Sequence, residues 1–257
     1  MATDALRTPK AVTRKPLYRP VNRTTERAFF SFMAVLLCVV VVYGFSRTYF
    51  MAGMVTAPLP APILHIHGAV YTLWMVLYVV QTALISARRV AWHRTLGIIG
   101  FCLPPIMIVL GIVAALNALK RGVSIGPLSP ETSLAIPLIG MAAFIPVIYQ
   151  AWATRRKPDT HKRLIIFATI GLCEAALGRF PWYKIGLPPG AGAVIGLGLL
   201  LLFPIAYDLF SLHRLHRSTM WAAPLMFVTG AAAVPIGMTP IWQSFARFLG
   251  QNVAQYL

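Results

Sequence analysis

The sequence predicts an all-α fold, a polytopic bundle of seven membrane-spanning helices. Three observations predict it. The chain is 58% hydrophobic, above the roughly 45–50% apolar content of an ordinary soluble domain. Between Phe29 and Phe248 the apolar runs are nearly continuous, and seven are long enough to cross a bilayer, whose ~30 Å core needs about 20 apolar residues per helix. Lys and Arg collect in the short segments between those runs.

The composition also excludes classes. A net charge of +17 with only 11% charged residues would suggest nucleic acid in a soluble protein. Here no basic stripe is interleaved with a folded polar surface, so nucleic-acid binding is set aside. Cations concentrate on the cytoplasmic side of membrane proteins instead. Cys38, Cys102 and Cys173 lie inside apolar runs without metal or CxxC spacing, so they read as small packing residues. No cleavable signal peptide is expected, because the first run is long enough to be a span that also directs insertion.

Residues 1–28 form a basic tail with Pro9, Pro16 and Pro20 opposing helix. It is expected to be disordered and held near anionic lipid headgroups. The membrane domain, 29–239, is drawn as spans 29–50, 63–87, 95–118, 134–154, 163–181, 192–212 and 221–239. The tail and the segments near 88–94, 155–163 and 213–217 hold 17 of the 23 Lys and Arg. By the positive-inside rule the N-terminus is cytoplasmic, and seven crossings put the C-terminus outside. In 240–257, Trp242, Phe245, Leu249, Val253 and Tyr256 recur at helical spacing opposite Gln243, Arg247 and Gln251. This predicts an amphipathic helix on the interface, broken from the seventh span at Pro235 and Pro240. One long tilted span is the alternative.

Two inner segments share a layout, Arg88-Arg89 then His93-Arg94 and Arg155-Arg156 then His161-Lys162-Arg163, with a looser echo in His213–Arg217. The pattern suggests repeated helical hairpins, and sites tend to form where repeats meet.

The second span carries a stripe, His67, Tyr71, Trp74, Tyr78 and Gln81, spaced four, three, four, three and therefore on one helix face. Lipid offers it no hydrogen bonds, so it faces the interior. It reads either as a pocket wall for a flat ligand such as a quinone or a b-type haem, or as interhelical hydrogen bonding. His65 and His67 stand at the outer mouth. His93, Arg94, His161 and Arg163, with His213 and His216, lie at the inner level, where imidazoles supply metal ligands and bases pair with carboxylates or phosphate. His67, His93 and His161 are the candidate metal ligands. Glu174 falls near mid-membrane, where a charge is costly, with Arg47 and Arg179 as outer partners; it reads as a proton relay or an ion pair. Asp208 either orients an imidazole or pairs with Arg94 or Arg163. No nucleophile elbow, phosphate-binding Gly loop, HExxH or histidine-box set is present.

With His67-Gly68, Trp74, Gln81, His93-Arg94-Thr95-Leu96-Gly97 and His161-Lys162-Arg163, the chain resembles a group of multi-pass bacterial inner-membrane proteins without an assigned activity, over roughly 60–180. The resemblance implies a bacterial inner-membrane location. A more distant likeness to cytochrome b561-type bundles rests on histidines in hairpins; this sequence lacks that pattern's paired His at two depths. Three functions are expected to compete: a redox or cofactor-binding membrane protein holding a haem b or a quinone, an accessory subunit with a membrane-protein partner, and a small proton-coupled transporter using Glu174.

Overall fold

The computed structural model describes residues 22–51 and 61–254, and the regular structure among them is entirely helical. Residues 1–21, most of the expected tail, lie outside this range. Its last part does not follow the expectation: α1 (Arg23–Phe45) starts inside it, with the Asn22 side chain accepting from Thr24 N–H. An N-cap side chain satisfies an amide that the helix leaves open.

Among the described residues, six segments are helices long and apolar enough to cross a membrane: Arg23–Phe50, Pro62–Ser86, Val90–Lys120, Pro130–Ala153, Gly190–Leu212 and Arg217–Gly237. The first continues α1 through a π-type turn, Ser46–Phe50. The second is α2 (Pro62–Ser86). The third divides into α3 (Val90–Gly100) and α4 (Leu103–Lys120). Pro104 and Pro105 bring no N–H, so the carbonyls a turn earlier lose their partners and the helix breaks there. Next come α5 (Pro130–Ala153), α8 (Pro189–Leu212) and α9 (Arg217–Gly237).

The fifth expected span, 163–181, is not one long helix. It is α6 (Pro158–Leu172), a step at Cys173, the single turn α7 (Glu174–Leu177) and a 3-10 turn at Trp182–Ile185. At the step the Cys173 N–H donates to Ile170 O, three residues back, and the Cys173 thiol takes the Thr169 carbonyl at 3.3 Å. At about 1.5 Å per residue, α6 alone is roughly 22 Å long. Even so, 158–180 runs the length of α1: Lys162 pairs with Glu26 at one end, and the Arg179 guanidinium lies 4.4 Å from the Phe45 ring centroid at the other.

The amphipathic segment forms its own helix, α10 (Pro240–Asn252), capped by Thr239. The break is at Met238–Thr239; Pro235 sits inside α9, and only Pro240 marks the boundary. Trp242 donates to Glu131 O at 2.9 Å and Gln243 to Thr132 Oγ1 at 2.9 Å, which fastens α10 to the start of α5.

α5 packs against α4, α6, α9 and α10, while α1 packs against α2, α6 and α7. Fully buried Met33, Leu37, Phe144, Val147, Phe167, Ile170 and Leu197 fill the space between them. The start of α1, the end of α2 and the starts of α3, α6 and α9 meet at one end of the bundle. The links are Ser31–Ser86 at 3.0 Å, the Glu26–Lys162 pair, the ring contact of His93 with His161, and Asp208 against Thr219. The basic segments 88–94, 155–163 and 213–217 are therefore on a common face.

Candidate functional site

A cavity of about 160 Å³ lies at this basic end. Each wall comes from a different helix: Phe30 with Glu26 and Arg27 from α1; Trp74, Tyr78 and Gln81 from α2; His93 and Gly97 from α3; and His161, Lys162 and Ile165 from α6, with Phe101 beside them. The polar and aromatic groups needed to hold a ligand are thus presented by four elements in a mostly apolar setting, the usual character of a small-molecule site.

The α2 stripe is split along its length. Its inner half, Trp74, Tyr78 and Gln81, lines the cavity. Its outer half serves helix packing: Tyr71 donates to Met107 O at 2.9 Å, in the space that Gly111 leaves open, since a Cβ there would meet the Tyr71 hydroxyl at 2.7 Å. His67 stacks on Tyr71 with ring centroids 4.1 Å apart. Its Nδ1 is buried without a hydrogen-bond partner among the described residues. His65 is exposed and lies 3.3 Å from the Tyr49 hydroxyl. Trp74 belongs to both halves, donating to Thr169 Oγ1 at 3.3 Å on α6.

His67 therefore cannot share a ligand with the inner histidines. It stands 14 positions from Gln81, about 21 Å along the helix axis. Among the described residues, no three His, Cys, Asp or Glu side chains come together as a metal site. The expected trio of His67, His93 and His161 is not assembled. Of the other inner imidazoles, His216 caps α9, accepting from Ser218 N–H at 3.1 Å, and His213 ends α8 in a left-handed conformation.

His93 and His161 do meet, edge to face, with ring centroids 6.5 Å apart. Their inner nitrogens are engaged in opposite senses. The Gln81 amide, oriented so that all its neighbours are satisfied, donates to His93 Nδ1 at 2.5 Å and accepts from Gly97 N–H at 2.8 Å. In that orientation the same NH2 group also reaches His93 O at 3.1 Å, and Nδ1 accepts, which leaves the proton of a neutral ring on Nε2. His161 Nδ1 faces Ala151 O at 2.9 Å. A carbonyl only accepts, so Nδ1 carries the proton and Nε2 keeps its lone pair. Ala151 is in the last turn of α5, where carbonyls lack helical partners; the fold itself fixes this tautomer.

The charged candidates fall elsewhere. Arg163 is enclosed in an ion pair with Asp208, Nη2 to Oδ1 at 2.6 Å and Nε to Oδ1 at 2.8 Å, with relative exposures of 2% and 0%. The other Asp208 oxygen accepts from His216 N–H at 3.0 Å and from the Thr219 hydroxyl at 2.5 Å. Asp208 thus orients no imidazole ring, and Arg163 is not in the cavity wall. Arg94 is exposed and also outside it. Lys162 bridges Glu26 at 2.8 Å and Asp159 at 2.6 Å. Burial alone would raise the Asp159 carboxyl, but the hydrogen bond and charge of Lys162, with Arg163, hold it below the usual value.

Glu174 joins neither expected partner. Arg179 donates to Ala175 O and lies over Phe45. The Glu174 carboxylate lies beside Gly230 of α9, where an added Cβ would come within 3.5 Å of it. Arg47 is the second residue of the π-type turn after α1.

The inward parts of α1 and of α3 were missed by sequence reasoning. Glu26 and Arg27 were counted as tail. Gly97 and Gly100 lie four and seven positions after His93, on its face, and Gly100 is where α3 meets Leu77 of α2; that spacing was the available signal. Comparison with known proteins finds no matching protein family, no similar curated protein and no solved structure of similar fold.

Proposed function

We propose that this chain is a bacterial inner-membrane protein that crosses seven times, with its N-terminus cytoplasmic, and binds a single-ring redox headgroup of the quinone type in the basic-end cavity. The observation that carries the reading is the cavity itself: an aromatic-lined pocket at the basic end, with the imidazoles of His93 and His161 together in its wall. Its volume of about 160 Å³ is close to the ~150 Å³ in which an apolar protein cavity takes up benzene. One six-membered ring fits that volume, and His67 is too distant to ligate a haem together with the inner pair. The seven-crossing arrangement is supported by the broken α6–α7 path running alongside α1, and the orientation by the basic residues gathered on one face.

The test is direct titration of the purified chain in lipid nanodiscs with a short-chain benzoquinone and a matching phenol, followed by calorimetry. Saturable binding at one site is expected, abolished by Gly97→Leu, which fills the cavity from α3. Absence of binding by both probes, or a Soret band in the purified protein, ends this reading.

A second reading has its own observation. Glu174 stands at a helix step, beside Gly230, without an ion pair among the described residues. That is a suitable place for an intramembrane proton site. If transport is found, Glu174→Gln abolishes its pH dependence; unchanged transport removes the idea.

A further inference from the structure

Building on the cavity reading, we infer that the site selects a ring bearing a hydroxyl group, a phenol or the reduced quinol, over the corresponding quinone, because one ligand oxygen must accept from His93 and donate to His161. The tautomers impose this. With Nδ1 of each ring engaged by the protein, Gln81 on one side and Ala151 O on the other, each imidazole has only Nε2 left. In neutral rings, His93 Nε2 is an N–H donor and His161 Nε2 is a lone pair. Neutrality follows from the setting: both line a mostly apolar cavity whose charged groups are Arg27 and the Glu26–Lys162 pair, and a charged ring in a low-dielectric site is unfavourable.

The spacing suits a single bridging atom. Two hydrogen bonds of about 2.8 Å each let one oxygen join nitrogens up to roughly 5.6 Å apart, a separation that rings with centroids 6.5 Å apart reach when their Nε2 edges turn toward each other. A hydroxyl oxygen meets both demands at once, as His93 Nε2–H to O and O–H to His161 Nε2. A carbonyl oxygen satisfies His93 alone and sets its lone pairs against that of His161. An ether oxygen fails in the same way. A buried acceptor without a partner is costly, and the difference expected is about tenfold in affinity. Phe30, Trp74 and Phe101 hold the ring by its faces and edges and do not discriminate between the two redox forms.

Gln81 is then a positioning residue. It touches no ligand atom in this account and acts by keeping the His93 proton on Nε2.

The experiment uses the full chain in nanodiscs, titrated with a trimethylphenol, its methyl ether and the matching trimethylbenzoquinone. The phenol is expected to bind about tenfold tighter than either of the others. His161→Phe removes the acceptor and brings the three affinities together, whereas His161→Gln, whose carbonyl still accepts, preserves the order. Equal affinities for the three probes in the unaltered chain overturn the inference and leave the cavity reading standing. Binding of none of them defeats both. A second measurement is independent of ligand and of variant folding: nitrogen-15 spectra of histidine-labelled protein must contain one ring protonated at Nδ1 and one at Nε2 for this pair, and two rings of the same tautomer also overturn the inference.

Discussion

At the scale of single residues, the contrast lies between groups the cavity uses and groups the fold has already consumed. The sequence offers Arg163 as a ligand-binding group or as one of two cations for Asp208, and in space the two are partners. Their charges are screened from solvent, and Thr219 and the His216 N–H complete the coordination of the carboxylate. Removing one member of such a pair strands the other. Asp208→Asn is expected to lower stability by about 3–5 kcal/mol, measured as loss of thermal resistance in detergent, while the double change Arg163→Met with Asp208→Leu recovers most of it. A mild effect of Asp208→Asn alone would show that the pair is dispensable. Asp159 gives a pH prediction. Its carboxyl is held below the unfolded value of about 3.9 by Lys162 and Arg163. A depressed folded pKa contributes stability above the unfolded value, and the contribution is lost as pH falls through the folded one. Asp159→Asn should therefore lower stability slightly at neutral pH, the side chain being largely exposed, and flatten part of the acid limb below about pH 4, where the two chains converge.

At the scale of elements, helix breaks and close approaches decide where side chains end up. The Pro104–Pro105 pair separates α3 from α4, and α3 can then lean on α2 with Gly97 and Gly100 as the contact points. The step at Cys173 has no proline; it comes from a thiol that satisfies the Thr169 carbonyl while the backbone turns more tightly. This is why the fifth span could be located by its apolar residues but not read as interrupted. Gly44 is the close contact between α1 and α7. A Cβ there would run into the Ala176 backbone, which has no flexible end to move aside. Gly44→Val is expected to cost on the order of 1–3 kcal/mol, as overpacking does, and to loosen α1 from α7. Gly140, in α5, has open space around its Cβ direction, so Gly140→Ala should be neutral or stabilising by roughly 0.5–1 kcal/mol. Paired unfolding measurements decide the matter: equal effects at both positions would contradict the packing described.

At the scale of the whole molecule, the question is how many times the chain crosses. Among the described residues six helices are long and apolar enough by themselves, and an even number would return both ends to one side. The α6–α7 path travels from Glu26 to Phe45 alongside α1, so an odd number is expected. Reporters fused to the two termini should then register on opposite faces of the membrane; both on one face would remove α6–α7 as a crossing and reverse the placement of α8 and α9. Sequence reading located the apolar segments, the basic face and the separate amphipathic character of α10, because hydropathy and charge are properties of a stretch of chain and need no partner. It also pointed to His93, His161, Gln81 and Trp74, since polar groups on a helix in lipid must turn inward. It had no means of pairing them. Whether His93 meets His67 or His161, whether Arg163 faces a ligand or Asp208, and which ring nitrogen holds each proton depend on contacts between residues tens of positions apart. Those were decided by the tertiary structure, which brings four helices to one small cavity and sets the two imidazoles side by side in its wall.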